Sequence, residues 1–80
     1  MRLEYSFIPL KNGTKFTQKL VRNDYPLEIG NVWVEEKENK VKITKSSTTS
    51  VYGDFRRSLY DVVKTYYHNK KKRVIDNGTI

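Results

Sequence analysis

"RLEYSFIPLKNGTKFTQKLVR" (residues 2–22) decides how this chain is read. Its first nine residues are dense in β-formers, and "KFTQKLVR" returns with the same character after Asn12-Gly13. That dipeptide is the strongest short hairpin signal, because both residues tolerate the positive φ of a type I′ turn. With Asn12-Gly13 as the loop, Tyr5 faces Leu20, Phe7 faces Gln18 and Pro9 faces Phe16. The pleat then gathers Leu3, Tyr5, Phe7, Phe16 and Leu20 on one side and sends Glu4, Ser6, Lys19 and Val21 to the other. Pro9 has no ladder donor, so it belongs near a strand end or at an edge.

Working outward, "NDYP" (23–26) is a turn cluster. "LEIGNVWVEEKENKVKITK" (27–45) reads as a second hairpin folding at Glu38-Asn39. There Val34 meets Ile43 and Glu36 meets Val41, while Trp33 meets Thr44 and Glu35 meets Lys42 on the opposite face. "SSTTS" (46–50) is a polar connector that supplies helix caps. From about Gly53 the period lengthens, and Phe55, Leu59, Val62, Val63 and Tyr66 form one helical stripe. Asp54 suits the amino end of that helix, and Lys70, Lys71, Lys72 and Arg73 suit its carboxyl end. "DNGT" (76–79) breaks it.

These elements predict a single small α+β domain. Two antiparallel β-hairpins, about 3–22 and 30–45, form a small sheet with strands near 3–9, 15–22, 30–37 and 40–45. One carboxy-terminal α-helix, about 53–72, packs on one face, and a short tail, 74–80, follows. Phe7, Phe16, Leu59 and Val63 are the expected core. A lone Trp in so thin a domain is more often core than surface, so Trp33 is expected inside.

The bulk composition narrows the function. Eighty residues with 36% hydrophobic and 31% charged leave a thin core, which a homodimer would reinforce. The chain has no cysteine, which excludes a disulfide framework, a thiolate nucleophile and cysteine-ligated zinc. Sixteen basic residues against nine acidic ones give a net charge of +7, a field suited to nucleic acid or to an acidic protein surface. No apolar run approaches a membrane span and no secretory leader opens the sequence, so a cytoplasmic protein without membrane contact is expected. Alanine is absent while Lys, Asn, Tyr and Ile are frequent, a bias that fits a phage or plasmid of a low-GC bacterium.

The chemistry-bearing residues point to binding, not catalysis. The chain has a single histidine, His68, set among cations, and lacks a nucleophile–base–acid set and a glycine-rich phosphate loop. No catalytic residue, metal ligand or cofactor is assigned, and "EEKE" (35–38) reads as a solvated hairpin tip. At about 100° per residue, Arg56, Tyr60, Lys64, Tyr67 and Lys71 fall on one helical strip. Cations at that rhythm follow a phosphate backbone, and interleaved rings stack on bases. The leading expectation is therefore a non-enzymatic nucleic-acid-binding domain, for DNA over RNA, with weak sequence specificity. Arg56, Lys64, Lys70, Lys71, Lys72 and Arg73 would hold phosphates, Tyr60 and Tyr67 would stack, and Lys15, Lys19 and Lys42 on the uncovered sheet face would be secondary. The rival expectation is a small protein-binding inhibitor or adaptor of a mobile element, such as an anti-defence protein aimed at a host nuclease. It would use the same Tyr and Arg residues as interface anchors.

Overall fold

The computed structural model describes residues 2–38, 40–48, 53–70 and 72–76, with side chains for all of these except 73, 75 and 76. The chain order is β1 (Arg2–Leu10), β2 (Gly13–Arg22), β3 (Tyr25–Glu36), β4 (Lys40–Thr48), α1 (Gly53–Asn69) and β5 (Arg73–Asp76). The strands form one sheet in the order β1-β2-β3-β4-β5, the first four antiparallel, with α1 packed on one face. The fold is α+β, as the sequence predicts.

Both expected hairpins are present, joined through β2 and β3 into a meander. The first hairpin is offset by two residues from its expected register. Tyr5 pairs with Gln18 and Phe7 with Phe16, so the loop is Lys11-Asn12 and Gly13 lies inside β2. Gly13 serves close approach: a Cβ there would collide with the Val34 carbonyl of β3. A slip of two keeps every side chain on its face, and so the face assignment survives the wrong register.

The type I′ geometry sits in the next turn. Asn23 and Asp24, at φ 50° and 61°, are the two non-glycine residues of positive φ among those described, and they join β2 to β3. Only these two residues of "NDYP" make the turn, so β3 starts at Tyr25 instead of near residue 30. Pro26 is tolerated there because, among the described residues, β4 reaches only as far as Gly30, so the start of β3 pairs with β2 alone. Two bulges adjust the ladders. One inserts Ile29 into β3 opposite Gln18–Lys19, and the other inserts Thr44 into β4 opposite Trp33–Val34. Val34–Ile43, Glu35–Lys42 and Glu36–Val41 pair as expected, but the second bulge sets Lys45 opposite Trp33 in place of Thr44.

The helix ends at Asn69, short of residue 72. The backbone N–H groups of Lys70 and Lys72 both donate to the Tyr67 carbonyl, at 3.1 and 2.9 Å, and close the last turn. The predicted tail contains β5, which runs parallel to β4 with Val74 beside Val41. Parallel neighbours require a crossover, and α1 supplies it. At the other end of the crossover, β4 runs on to Thr48, taking Ser46, Ser47 and Thr48 from the expected connector; the remaining connector residues, 49 and 50, lie outside the described residues.

The core joins Phe16, Val32, Val34, Val41 and Ile43 of the sheet to Leu59, Tyr60, Val63 and Tyr67 of α1. The helical stripe therefore turns toward Tyr60 and Tyr67, while Phe55, Val62 and Tyr66 are half-buried at its margin. Aliphatic side chains are scarce here, and each tyrosine ring buries more area than a valine. Gln18, 1% exposed, ties the sheet to the start of α1 by donating to the Phe55 carbonyl at 2.8 Å. Phe7 departs from expectation: although it touches Phe16 and Tyr66, it stays 47% exposed, because α1 stops short of covering β1.

Candidate nucleic-acid interface

The sheet face away from α1 carries the densest pairing of aromatic and cationic groups. Register places Ile8, Lys15, Trp33 and Lys45 in one row across β1 to β4. Trp33 is half-buried with its indole on this open face, so the expectation of a core tryptophan is corrected. The helix-side core is filled by residues of the opposite parity, Val32 and Val34. The ammonium of Lys15 lies 5.2 Å from the indole centroid and that of Lys45 lies 4.7 Å away. Neighbouring rows are polar. Thr17 donates to Asn31 Oδ1 at 2.8 Å, and Asn31 donates to Glu28 Oε1 at 2.8 Å. Lys42, half-buried, stands opposite Glu35, whose carboxylate is 3.7 Å from Lys37. Lys19 stands between Glu4 and Glu28 in register, so its charge is offset locally.

The helix strip does not assemble as expected. Arg56 and Lys64 are exposed, but Tyr60 is 7% and Tyr67 0% exposed, both inside the core. Neither ring offers a free face for a base, because 3.6-residue geometry carries both onto the buried side of α1. The Tyr67 hydroxyl donates to Glu36 Oε2 at 3.2 Å, and Thr14 donates to the same oxygen at 3.3 Å. Lys72 donates to Glu36 Oε1 at 3.0 Å. Lys72 is thus a staple from the end of α1 to β3. Lys70 lies 4.4 Å over the Tyr66 ring and donates to its hydroxyl, a bond that raises the lysine pKa. Lys71 and the Arg73 side chain lie outside the described residues. Lys64, Thr65, His68, Lys72 and Val74 line a shallow cleft of about 430 Å³ between α1 and β5.

No family model, curated protein or solved structure matches this chain. The functional reading therefore rests on its own residues. Of the expected site residues, the fold brings Lys15 over Trp33, sets Lys42 on the same face opposite Glu35, and adds Lys45, which the sequence reading missed. The bulge at Thr44 moves Lys45 opposite the indole, and no residue pattern announces that bulge.

The two buried tyrosines make separate predictions. Among the described residues the Tyr60 hydroxyl has no hydrogen-bond partner. Tyr60→Phe should leave stability within about 0.5 kcal/mol or raise it, since an orphaned polar group disappears. Tyr67→Phe should cost about 1 kcal/mol, since Glu36 loses one of three donors. Urea denaturation of both variants checks the contrast; equal losses would contradict it.

A third prediction concerns acid. The Lys72 ammonium holds the Glu36 carboxyl below its ordinary range, assisted by the Tyr67 and Thr14 donors against the opposing effect of burial. Burial pushes the Tyr67 hydroxyl up to about 12, so it remains a donor throughout. A depressed carboxyl adds stability that is complete above its unfolded pKa and lost as pH falls through the folded one. The melting temperature of the wild type should therefore fall more steeply than that of Glu36→Gln as pH drops below the ordinary carboxylate range. Parallel acid limbs would remove Glu36 from the account.

Proposed function

We propose that this chain is a non-enzymatic domain that binds single-stranded nucleic acid on the open face of its sheet. The observation that supports this reading is Trp33, set mid-sheet on the uncovered face with Lys15 and Lys45 over its ring. A cation over a ring at a solvent-accessible face is worth about 0.5–1 kcal/mol, whereas a stacked base is worth about 1–3 kcal/mol. A base therefore displaces an ammonium from the indole at a net gain, and the displaced ammonium is left beside the phosphates. Unpaired bases fit such a platform; a closed duplex keeps its base faces covered. Arg56 and Lys64, on the opposite side of the molecule, add long-range attraction to polyanions. Stacking and backbone contacts read little sequence, so weak specificity follows.

The chain has one tryptophan, which makes it a direct reporter. Titration with single-stranded DNA and RNA oligonucleotides should quench Trp33 fluorescence, with an affinity that falls as salt rises. A protein that shows no quenching and no retention at about 50 mM salt would end this reading. The second reading, a protein-binding inhibitor or adaptor, draws on the β2–β3 tip, where Tyr25 is 73% and Leu27 56% exposed. An exposed tyrosine of this kind serves as an interface anchor. It predicts no oligonucleotide affinity in the same titration.

A further inference from the structure

β1 is an edge strand of nine residues, and among the described residues no strand pairs with its outer side. Its apolar side chains are exposed on both faces: Phe7 47%, Ile8 46% and Leu10 43%. Beside it runs a groove of about 330 Å³ between β1 and α1, lined by Phe7, Asp61, Val62, Thr65, Tyr66 and Asn69. An apolar edge of this length recruits another strand, and native proteins blunt such edges with charge or proline or shield them. β1 carries its charges, Arg2 and Glu4, at one end and Pro9 near the other, which leaves residues 5–8 as the unguarded stretch.

Charge fixes where a second copy can dock. The molecule carries +7, so two copies repel over most of their surface. β1 is the exception: Arg2 and Glu4 form an ion pair at 3.0 Å, and residues 5–10 carry no charge. Two copies therefore approach one another most readily edge to edge at β1. Antiparallel pairing of a strand with its own copy is isologous and closes after two subunits.

We propose that the chain forms a homodimer by antiparallel pairing of β1 with β1 of a second copy, each copy's β1 side chains closing over the other's groove at Phe7, Val62 and Tyr66. The two five-stranded sheets become one. A dyad perpendicular to that sheet sets both helices on one side and both open faces on the other. The two Trp33 rings then stand five inter-strand steps apart, which is roughly 24 Å measured across the strands at about 4.8 Å per step. Only this paired-platform consequence rests on the nucleic-acid reading; the dimer does not.

Sedimentation equilibrium of the purified chain should give twice the 9.5 kDa chain mass. The double variant Ile8→Lys with Leu10→Lys should associate at least about tenfold more weakly, because each copy then brings two further ammonium groups, in place of apolar side chains, to the stretch that carries no charge. Both positions are exposed in the single chain, so circular dichroism should show the fold intact. Hydrogen exchange of β1 amides should slow as wild-type concentration rises. A wild type that sediments as a single chain up to millimolar concentration would overturn the proposal, and so would larger open assemblies. A double variant that still dimerises would overturn it too. Trp33 quenching is scored separately: its absence in a confirmed dimer would count against the nucleic-acid reading alone.

Discussion

Phe16→Ala should remove about 3–5 kcal/mol of folding stability, the loss of a buried aromatic plus the cavity it leaves. Phe16 is 1% exposed at the centre of a ring cluster. Its ring lies 5.2 Å from Phe7, 5.3 Å from Tyr66 and 5.8 Å from Tyr67, in edge-to-face arrangements. Collapse around the hole is hindered from both sides, since α1 holds Tyr67 through Glu36 and β2 is pinned between β1 and β3. Domains of this size are stable by only about 5–15 kcal/mol, so the variant should sit near the margin of folding at 37 °C. Guanidinium denaturation of wild type and variant measures the difference. A loss below about 1 kcal/mol would mean that α1 does not close over Phe16. Phe7→Ala is the internal comparison: its half-exposed ring should cost clearly less.

The same two phenylalanines show how far the sequence could be read. Alternation in β1 and β2 assigned both rings to the helix side, and that holds, because an error of two residues in register preserves the pleat. Burial was harder to see. It depends on how far α1 reaches across the sheet, and helix placement follows the packing of Tyr60 and Tyr67, which in the sequence look like surface groups among cations. "RVID" (73–76) illustrates a different limit. A four-residue edge strand has too little period to announce itself, and its parallel partner lies far back in the chain at β4. The candidate site was half legible. Parity put Trp33 opposite Val34, and therefore on the open face with Lys15 and Lys42, but the expectation that a lone tryptophan fills a thin core outweighed it. Lys45 was not legible, because a one-residue bulge at Thr44 decides which side chain faces the indole.

The largest effects on function should come from the open face. Trp33→Ala should weaken single-strand binding by about 1–3 kcal/mol while hardly changing its salt dependence, since stacking releases no counterions. The fold should persist, because Trp33 lies outside the core cluster. Replacing Lys15 and Lys45 together by Gln should do the converse. For single strands each lost phosphate contact flattens the slope of log affinity against log salt by about 0.7, so the pair should flatten it by roughly 1.4. Arg56→Gln with Lys64→Gln removes the same charge from the far side of the molecule. That pair should slow association modestly and leave the slope nearly unchanged, because distant exposed charges are screened beyond about 10 Å. Filter binding of the three variants between about 50 and 200 mM salt separates the surfaces. If the helix pair flattens the slope and the sheet pair does not, phosphates run along α1, and Trp33 is a structural ring with two lysines for company. If neither pair matters but Trp33→Ala still abolishes retention, stacking alone holds the strand, and the +7 charge acts only on encounter.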